Sequence, residues 1–431
     1  MNKLLFITYY WPPSGKATLH WPLKIIKYLP EFNWQPTVLT TEETSSYKDE
    51  SLLKEVSPEL KVYKAKAIEP FDIYKRFTGK SKNDPIISSE TISLENKSLA
   101  HRISVWIRFN LFIPDARVGW YFSAVPEGKK ILMQGKQDLI VSLGPPHSTH
   151  LVGYSLSKKF NLPFVPVLID PWVDIVYYKS AKRSKAAIKA DNYFERKVMK
   201  HASKIIFVTE STREDYVKKY PFIKDKSHVL YWGYNEEDFE MEEGRWKMED
   251  GRRKMENGGW EMKDGETLVH AGNIFDYQNP EHLWERIRKE IDNGRKIKIK
   301  FIGTVSPRIK KEIEKNNLQD VTEYAGFLPY KEMISELNKA SYLLVCATEP
   351  RHVPGKLFEY LRAGKPVLAF GNDNEEVKKI IREANAGMIF RYDEDPKEFF
   401  SNAGKFKTNI EYVKQFDRKK IAEKFGEIIR L

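Results

Sequence analysis

The feature that most constrains this chain is a repeated alternation of short apolar runs with longer amphipathic stretches, which is typical of parallel sheets built from crossover units. In the first half the predicted strands are LLFITYY, QPTVLTT, KVYKAKA, DLIVSLG, FVPVLID and KIIFVTE. In the second half the pattern repeats in ETLVHAGN, KIKFIGT, TEYAGF, YLLVCAT and KPVLAFG. Because 431 residues are too many for one ordinary core, the sequence predicts two α/β domains.

Composition limits the partners and the compartment. The 72 Lys and Arg residues exceed the 60 Asp and Glu residues by 12, which predicts attraction to phosphates on nucleotides, nucleic acids or anionic lipids. The single cysteine, Cys346, lies in an apolar run, which excludes a disulfide framework and favours a reducing compartment. The apolar N-terminus is short and predicts a core strand instead of a signal peptide. No run approaches the roughly 20 residues that span a bilayer, so we expect any membrane contact to be peripheral.

The junction between the halves contains a heptad repeat. Methionine recurs every seven residues at Met241, Met248, Met255 and Met262, and glycine has the same period. A glycine in each heptad costs about 1 kcal/mol relative to alanine, and no second apolar position is present, which argues against a coiled coil. We interpret residues 236–264 as a low-complexity insertion or linker.

Two further segments of the first half invite a prediction. Residues 80–100 are polar and serine-rich, which predicts a surface loop. The stretch HRISVWIRFNLFIPD that follows mixes basic residues with aromatic ones such as Trp106. It suits either a membrane interface or acceptor groove, or an ordinary amphipathic helix packed on its own domain.

Ligands of parallel sheets bind outside the carboxyl ends of the strands, so the loops there are the candidate sites. The first strand ends in YYWPPSGKAT, where Gly15 and Lys16 precede a helix and could accept a phosphate. The segment TEPRHVPGKLFEYLRAGKPVLAFG places Pro354 and Gly355 at a helix start whose amides can bind a diphosphate. Glu359, one turn further on, can accept hydrogen bonds from a ribose, unless it is an ordinary solvated carboxylate.

The segment PGKLFEYLRAGKPVLA resembles the donor-binding signature of the retaining glycosyltransferases of family 4. Other stretches are similar to this family in the same order, namely YYWPPSGKATLHWPLKIIKYLPEFNWQPTVLT, IPDARVGW, SLGPPHSTH, LIDPW and YWGYNEEDF. The resemblance implies the GT-B fold, two facing Rossmann-like domains with parallel sheets and an interdomain cleft. It implies an acceptor-binding domain over 1–235, a nucleotide-sugar-binding domain over 265–405, and a C-terminal helix over 406–431 that returns to the first domain.

The resemblance also implies a set of site residues and a reaction. The donor-binding residues it implies are Gly15, Lys16, Gly272, Asn273, Pro354, Gly355, Lys356, Leu357 and Glu359. The sugar would be transferred with retained anomeric configuration, and neither a metal nor another cofactor is expected.

Two departures from the family pattern concern charge. Where the family has a sugar-binding glutamate, eight positions before the ribose glutamate, this chain has Arg351. Where the family supplies an arginine and a lysine to the diphosphate, the loop HAGNIFDYQNP carries Asn273 and Gln278. We hypothesise that Lys16, Arg351 and Lys356 compensate for the missing cations, because positive groups stabilise the leaving diphosphate. The alternative for Arg351 is an ordinary surface residue.

Four residues are candidates on the acceptor side. His147 follows Gly144, Pro145 and Pro146, and its imidazole could hydrogen-bond a hydroxyl, stabilise charge or be purely structural. His150 is a second candidate histidine. Asp115 and Asp170 end predicted apolar segments and could orient the acceptor hydroxyl, or serve as caps of turns. The predicted catalytic residues are thus His147, Arg351 and Lys356.

The predicted function is transfer of a sugar from a nucleotide sugar to a saccharide or lipid-linked saccharide, in cell-surface polysaccharide synthesis. The expected location is cytoplasmic, with peripheral contact to the anionic inner face of the cell membrane. One alternative is a sugar-nucleotide epimerase, and another is a degenerate nucleotide-sugar-binding module. Nucleic-acid binding has only the net charge in its favour, because no recognition motif is present.

Overall fold

The structure is a computed structural model of the chain. It describes residues 1–42, 48–67, 99–175, 183–243, 246–249, 252–255 and 265–430. The described residues form two compact units. Unit 1 comprises Met1–Val208, Thr212–Tyr231 and Ala422–Leu431, and unit 2 comprises Thr209–Ser211 and Trp232–Ile421.

Fifteen strands are present in the described residues. They are β1 (Asn2–Ile7), β2 (Trp34–Thr41), β3 (Lys61–Ala65), β4 (Leu139–Gly144), β5 (Phe164–Leu168), β6 (Ile205–Phe207), β7 (Ser227–Val229), β8 (Trp246–Glu249), β9 (Arg252–Met255), β10 (Glu266–Ala271), β11 (Ile297–Ile302), β12 (Thr322–Gly326), β13 (Tyr342–Cys346), β14 (Val367–Phe370) and β15 (Gly387–Phe390).

The α-helices of the described residues alternate with these strands. They are α1 (His20–Tyr28), α2 (Leu99–Asn110), α3 (Tyr121–Gln134), α4 (Ser148–Phe160), α5 (Lys185–His201), α6 (Glu210–Lys219), α7 (Glu236–Glu243), α8 (Glu281–Asp292), α9 (Pro307–Lys315), α10 (Tyr330–Lys339), α11 (Lys356–Ala363), α12 (Glu375–Glu383), α13 (Lys397–Asn402), α14 (Ile410–Val413) and α15 (Arg418–Ile428).

The sheet of unit 1 has seven strands in the order β3-β2-β1-β4-β5-β6-β7, and every neighbouring pair is parallel. Its central strands read as continuous apolar runs because helices cover both faces of such a sheet. Every residue of β4 and β5 is buried accordingly. The chain order reverses between β1 and β4, which makes the carboxyl ends of these two strands the switch point of the sheet.

The sheet of unit 2 repeats this design with six parallel strands in the order β12-β11-β10-β13-β14-β15. Its switch point lies between β10 and β13, so the loops that follow these two strands lie next to each other. The prediction of two Rossmann-like α/β units with parallel sheets is confirmed.

The structure describes part of each of the two stretches that were predicted as an insertion and a loop. The stretch predicted as an insertion, 236–264, begins with helix α7, whose Phe239 is buried because it packs edge-on against Tyr234. Strands β8 and β9 follow and pair as an antiparallel hairpin. The loop predicted over 80–100 lies outside the described residues except for its last two positions, which begin α2. Within the described parts of the chain, none of the helices combines the length and apolarity that crossing a bilayer requires.

Candidate functional site

Beside the switch point of unit 2, the loops after the neighbouring strands β10 and β11 each begin with a glycine. Gly272 follows β10 with φ of 101°, and Gly303 follows the neighbouring β11 with φ of 115°. A side chain at Gly303 would meet the carbonyl of Gly272, since a Cβ built there would lie 2.7 Å from that oxygen. The two loops therefore pack backbone against backbone, which only glycine allows at these positions.

The side chain of Lys356, the first residue of α11, reaches the same place. A Cβ built on Gly272 would lie 2.8 Å from Lys356 Nζ, so the ammonium group lies directly over the bare Gly272 backbone. Burial lowers the pKa of Lys356 to about 8. The structure thus brings together Gly272 and Lys356, two of the predicted donor-binding residues. The loop after β10 lacks the two cations of the family pattern, and the Lys356 ammonium group lies beside this loop.

At the start of α11, some backbone amides donate hydrogen bonds within the protein and others do not. The amides of Leu357 and Phe358 donate to the carbonyls of Pro354 and Gly355, at 2.9 and 3.2 Å. Leu357 is also fully buried, so its amide and its side chain are both engaged within the protein, and its contact with the donor stays a prediction. Within the described residues, the Gly355 and Lys356 amides have no acceptor.

A histidine that the sequence analysis did not select lies behind Lys356. His270, the fifth residue of β10, is buried, and its Nε2 lies 3.2 Å from Lys356 Nζ. Its Nδ1 lies 3.0 Å from the carbonyl oxygen of Leu344 on β13. One turn along α11, the Tyr360 hydroxyl accepts a hydrogen bond from the Ala271 amide at 2.8 Å, which ties the helix to the end of β10.

Glu359 is held from two sides. The Tyr330 hydroxyl donates a hydrogen bond to its Oε1 at 2.8 Å, and Arg418 Nη2 lies 3.6 Å from the same oxygen. Glu359 is only 7% exposed, and burial raises its pKa, while the Arg418 charge and the Tyr330 hydrogen bond oppose that rise. No residue of the described chain hydrogen-bonds Oε2, so this oxygen can accept from a ligand hydroxyl.

The other residues of unit 2 that the sequence indicated form hydrogen bonds within or between loops. Asn273 Oδ1 accepts a hydrogen bond from the Thr304 amide at 3.1 Å, which joins the loops after β10 and β11. Gln278 Nε2 donates to the Cys346 carbonyl at 3.3 Å, and its Oε1 accepts from the Phe275 amide, so Gln278 is a structural residue. Arg351 is partly exposed, and its carbonyl accepts a hydrogen bond from the Thr209 hydroxyl at 3.3 Å.

In unit 1, the loop after β1 carries Gly15 and Lys16 ahead of a short 3-10 helix and α1. Gly15 is partly exposed and Lys16 is exposed. Partial burial, and then the nearby charge of Arg117, lower the pKa of Lys16. The two residues lie at the carboxyl end of β1, on the switch point of this sheet.

The loop after β4 places the His147 imidazole against the side chain of Trp172. Its imidazole stacks on the Trp172 indole with ring centroids 5.2 Å apart and planes 4° apart. Gly144 gives room for the ring, because a Cβ there would lie 2.8 Å from His147 Nδ1. The residue is only 3% exposed, and burial lowers its pKa to about 3, against a weak opposing contact with the Pro171 carbonyl. Burial therefore favours the neutral imidazole near pH 7, which can hydrogen-bond but carries no charge.

Two other acceptor-side candidates have structural partners. His150 is fully buried, and its Nδ1 lies 2.8 Å from Ser142 Oγ, which favours a structural role. Asp115 accepts a hydrogen bond from the Ser148 amide at 2.8 Å and another from the Arg117 amide at 2.9 Å. Since Ser148 is the first residue of α4, Asp115 caps this helix from outside it and fixes the His147 loop.

Asp170 is the last of the acceptor-side candidates. It follows β5, it is partly exposed, and burial raises its pKa to about 6. No hydrogen bond reaches its carboxylate from any described residue. A carboxylate with this pKa can accept a proton near neutral pH.

A buried polar network that sequence reasoning missed holds the loop after Asp170. Trp172 Nε1 donates to Asp191 Oδ1 at 2.6 Å, and Arg183 pairs with the same carboxylate at 2.6 Å. Four residues further along α5, Glu195 accepts from the Tyr216 and Tyr220 hydroxyls at 2.6 and 2.8 Å. The signal available in the sequence was two carboxylates at i and i+4 on one helix face, but their partners are distant in the chain.

Two family models match the chain. The Glycosyl transferases group 1 model matches residues 253–421, and the Glycosyltransferase Family 4 model matches residues 90–238. Together with the two parallel sheets, they define a glycosyltransferase of the GT-B fold. The presence of these two domains in one chain supports a family-4-like glycosyltransferase. The predictions of an enzyme and of a glycosyltransferase are thereby confirmed.

Solved structures agree with this fold over the full chain. Sucrose-phosphate synthase from Thermosynechococcus elongatus is similar with a TM-score of 0.62 at 13% identity, covering 100% of this chain and 98% of the other. Anabaena HepE in complex with UDP and glucose is similar with a TM-score of 0.59 at 12% identity, covering 99% of each chain. A glycosyltransferase from Rickettsia africae has a TM-score of 0.59 at 13% identity, with 100% and 99% coverage. No curated protein matches the sequence.

Proposed function

We propose that this glycosyltransferase uses a nucleoside diphosphate sugar, whose diphosphate and ribose unit 2 binds. The observation that supports this most is the placement of Lys356 Nζ over the Gly272 backbone, beside unused amides at the start of α11. A cation and free amides at a helix N-terminus suit a diphosphate. Glu359, with one carboxylate oxygen lacking a protein partner, suits the vicinal hydroxyls of the ribose.

The first donors to examine are UDP sugars, because Anabaena HepE, which has a similar fold, has been crystallised with UDP and with UDP-glucose. We propose a saccharide or lipid-linked saccharide as the acceptor, retention of anomeric configuration, and a role in cell-surface polysaccharide synthesis in the cytoplasm. Lys356 and the α11 amides supply positive potential at the proposed diphosphate site, so we propose that turnover needs no metal and survives EDTA.

The test is a thermal-shift screen with UDP, GDP, ADP and dTDP sugars, followed by product analysis. A ligand at about 100 times its dissociation constant should add roughly 2.7 kcal/mol of stability. Transfer releases free nucleoside diphosphate together with a new glycoside of the donor's anomeric configuration. An isomerised donor would instead identify an epimerase, and binding without turnover across an acceptor panel would identify a binding module. Stabilisation by none of the four donors contradicts the proposal.

Peripheral contact with an anionic membrane is the second part of the proposal, and helix α2 supports it. Ile103 is 50% exposed and Trp106 is 49% exposed, whereas Phe109, about one turn after Trp106, is buried. An exposed tryptophan and isoleucine one turn apart, next to the exposed Arg102, suit insertion at the headgroup level.

Vesicle sedimentation tests this contact. The protein should bind vesicles that contain phosphatidylglycerol, and replacing Ile103 and Trp106 together by serine should weaken binding about tenfold. The matched control replaces Phe222 by serine, an apolar residue that is 45% exposed elsewhere on unit 1. Equal binding of both variants contradicts a role for α2.

A further inference from the structure

His270 occupies a position where a parallel sheet ordinarily buries an apolar side chain. It is 2% exposed, it lies in β10 between Val269 and Ala271, and it contacts the Phe301 ring at 6.3 Å between centroids. A buried imidazole must satisfy both ring nitrogens or lose stability. Both ring nitrogens of His270 have hydrogen-bond partners. In contrast, the buried His147 and His150 each have at least one ring nitrogen without such a partner among the described residues.

The two partners fix the tautomer of His270. The Leu344 carbonyl can only accept, so Nδ1 must carry the hydrogen. Nε2 then has a lone pair and accepts a hydrogen bond from the Lys356 ammonium group. Burial, followed by the Lys356 charge, holds the pKa of His270 well below its usual range, so the ring is neutral and attracts the ammonium.

Two contacts with β10 determine the position of Lys356, one made by α11 and one made by the ammonium group itself. The Tyr360 hydroxyl, one turn along the same helix face, ties α11 to the Ala271 amide. Among the described residues, His270 Nε2 is the atom that hydrogen-bonds the ammonium group, which lies over Gly272. Without that acceptor, four rotatable side-chain bonds would leave the ammonium free to leave this position.

We propose that His270 is a positioning residue that holds the Lys356 ammonium over Gly272, where it binds the diphosphate of the donor. The inference rests on the proposed function, since it deepens the role of the same site. It adds a residue that acts through Lys356 and does not itself contact the donor. Because His270 holds the ammonium group in place before the donor binds, less side-chain entropy of Lys356 is lost when the diphosphate binds.

Two substitutions separate the two hydrogen bonds of the ring. In His270→Asn the side-chain amide can still donate to the Leu344 carbonyl, but it is too short to reach Lys356. In His270→Gln the longer side chain can place an acceptor near Lys356. We expect His270→Asn to weaken the binding of UDP and of inorganic pyrophosphate about tenfold, and His270→Gln to weaken it less than about threefold.

A double-mutant cycle excludes a merely structural explanation. If His270 acts through Lys356, His270→Asn should change the dissociation constant less than about twofold in a Lys356→Met background, where the ammonium is already absent. The measurement is calorimetric titration of the full chain with UDP and with pyrophosphate, alongside the thermal unfolding curve of each variant.

The outcomes distinguish this inference from the proposed function. Wild-type protein that binds neither UDP, GDP, ADP, dTDP nor pyrophosphate overturns both. Wild-type protein that binds one of them, with His270→Asn binding equally well, overturns the role of His270 alone. Equal losses in His270→Asn and His270→Gln, or the same loss in the presence and absence of Lys356, also overturn it, because a damaged strand would act in that way.

Discussion

The Tyr330 hydroxyl donates a hydrogen bond to Glu359 Oε1 at 2.8 Å, so one oxygen of the proposed ribose-binding carboxylate is already used within the protein. Arg418, fully buried at the start of the last helix, lies 3.6 Å from the same oxygen. A carboxylate held on one oxygen presents the other in a fixed direction. The arrangement therefore suits a single, well-oriented contact with a ligand.

Replacing Glu359 by glutamine should increase stability while weakening donor binding. Burial raises the pKa of Glu359, so the folded state prefers the protonated carboxyl, and this residue lowers stability progressively as the pH rises above its unfolded pKa. Glutamine does not ionise and removes that loss, so the melting temperature of Glu359→Gln should exceed that of the wild type at pH 7.5 and approach it at pH 4.5. Donor affinity should fall about 30-fold, because charge-assisted hydrogen bonds contribute roughly 2 kcal/mol.

Tyr330→Phe is the matched control for this prediction. It removes the hydrogen bond to Oε1 but keeps the charge, so donor affinity should fall only about threefold to tenfold. Thermal melts and donor titrations of both variants make the comparison. A Glu359→Gln protein that binds the donor as tightly as the wild type would show that Glu359 does not contact the ribose.

Lys356 should give the enzyme a basic limit. Its pKa of about 8 means that the ammonium loses its proton as the pH rises through 8 in the empty enzyme, so kcat/KM should fall above that pH. A bound diphosphate stabilises the ammonium, so the corresponding decline of kcat should come at higher pH. The groups around Lys356 do not compete for this assignment, because burial keeps His270 and His352 neutral and raises the pKa of Cys346 to about 12.

The substitution that checks this limit is Lys356→Met. It should lower kcat about 100-fold, since a positive group at a developing phosphate charge contributes roughly 3 kcal/mol. Arg351→Met is the comparison, and we expect less than a tenfold change, because it is Lys356 that lies over the Gly272 loop. Unchanged rates in both variants would refute the idea that these cations compensate for the missing ones.

The sequence predicted the architecture well because short apolar runs and longer amphipathic stretches alternate along it. Apolar strands such as β4 and β13 are buried along their whole length, and this is visible as continuous apolar runs. Strands β7, β8, β9 and β15 were not predicted. Strand β7 has three residues and β15 begins at Gly387, so neither has the length or composition that marks a strand. Strands β8 and β9 lie in the stretch interpreted as an insertion.

The candidate site was predicted only where the chemistry lies within one short segment. Gly355, Lys356 and Glu359 occur together in the sequence, so their association was visible. His270 hydrogen-bonds a lysine 86 positions away, and Arg418 approaches Glu359 from the last helix. Such pairs depend on the order of the strands and the path of the chain, which a local pattern does not contain.

Asp170 should give an acidic limit if it orients or deprotonates the acceptor. Its pKa of about 6 is raised by burial, so the carboxylate form is lost as the pH falls through 6, and kcat/KM should decline below that pH. Asp170→Asn should lower kcat about 100-fold and remove this limb. The control is Asp191→Asn, because Asp191 also has a pKa raised to about 6 but contacts Trp172 and Arg183. An acidic limb that persists in Asp170→Asn and disappears in Asp191→Asn would reassign it to the buried network.

The contact between Trp172 and Asp191 should stabilise unit 1 more than an ordinary buried tryptophan hydrogen bond. Trp172→Phe leaves a buried carboxylate without one of its donors, and we expect a loss of about 2 to 3 kcal/mol in the free energy of unfolding. Trp34→Phe removes a similar buried ring portion in the same unit, but its Nε1 donates to the neutral Gly426 carbonyl at 3.0 Å, so its loss should be about 1 kcal/mol. Urea unfolding followed by far-UV circular dichroism compares the two. The Trp172 ring also stacks on His147, so Trp172→Phe should lower kcat, whereas Trp34→Phe should not. Equal effects of the two variants on both stability and rate would show that the Asp191 network does not position the His147 loop.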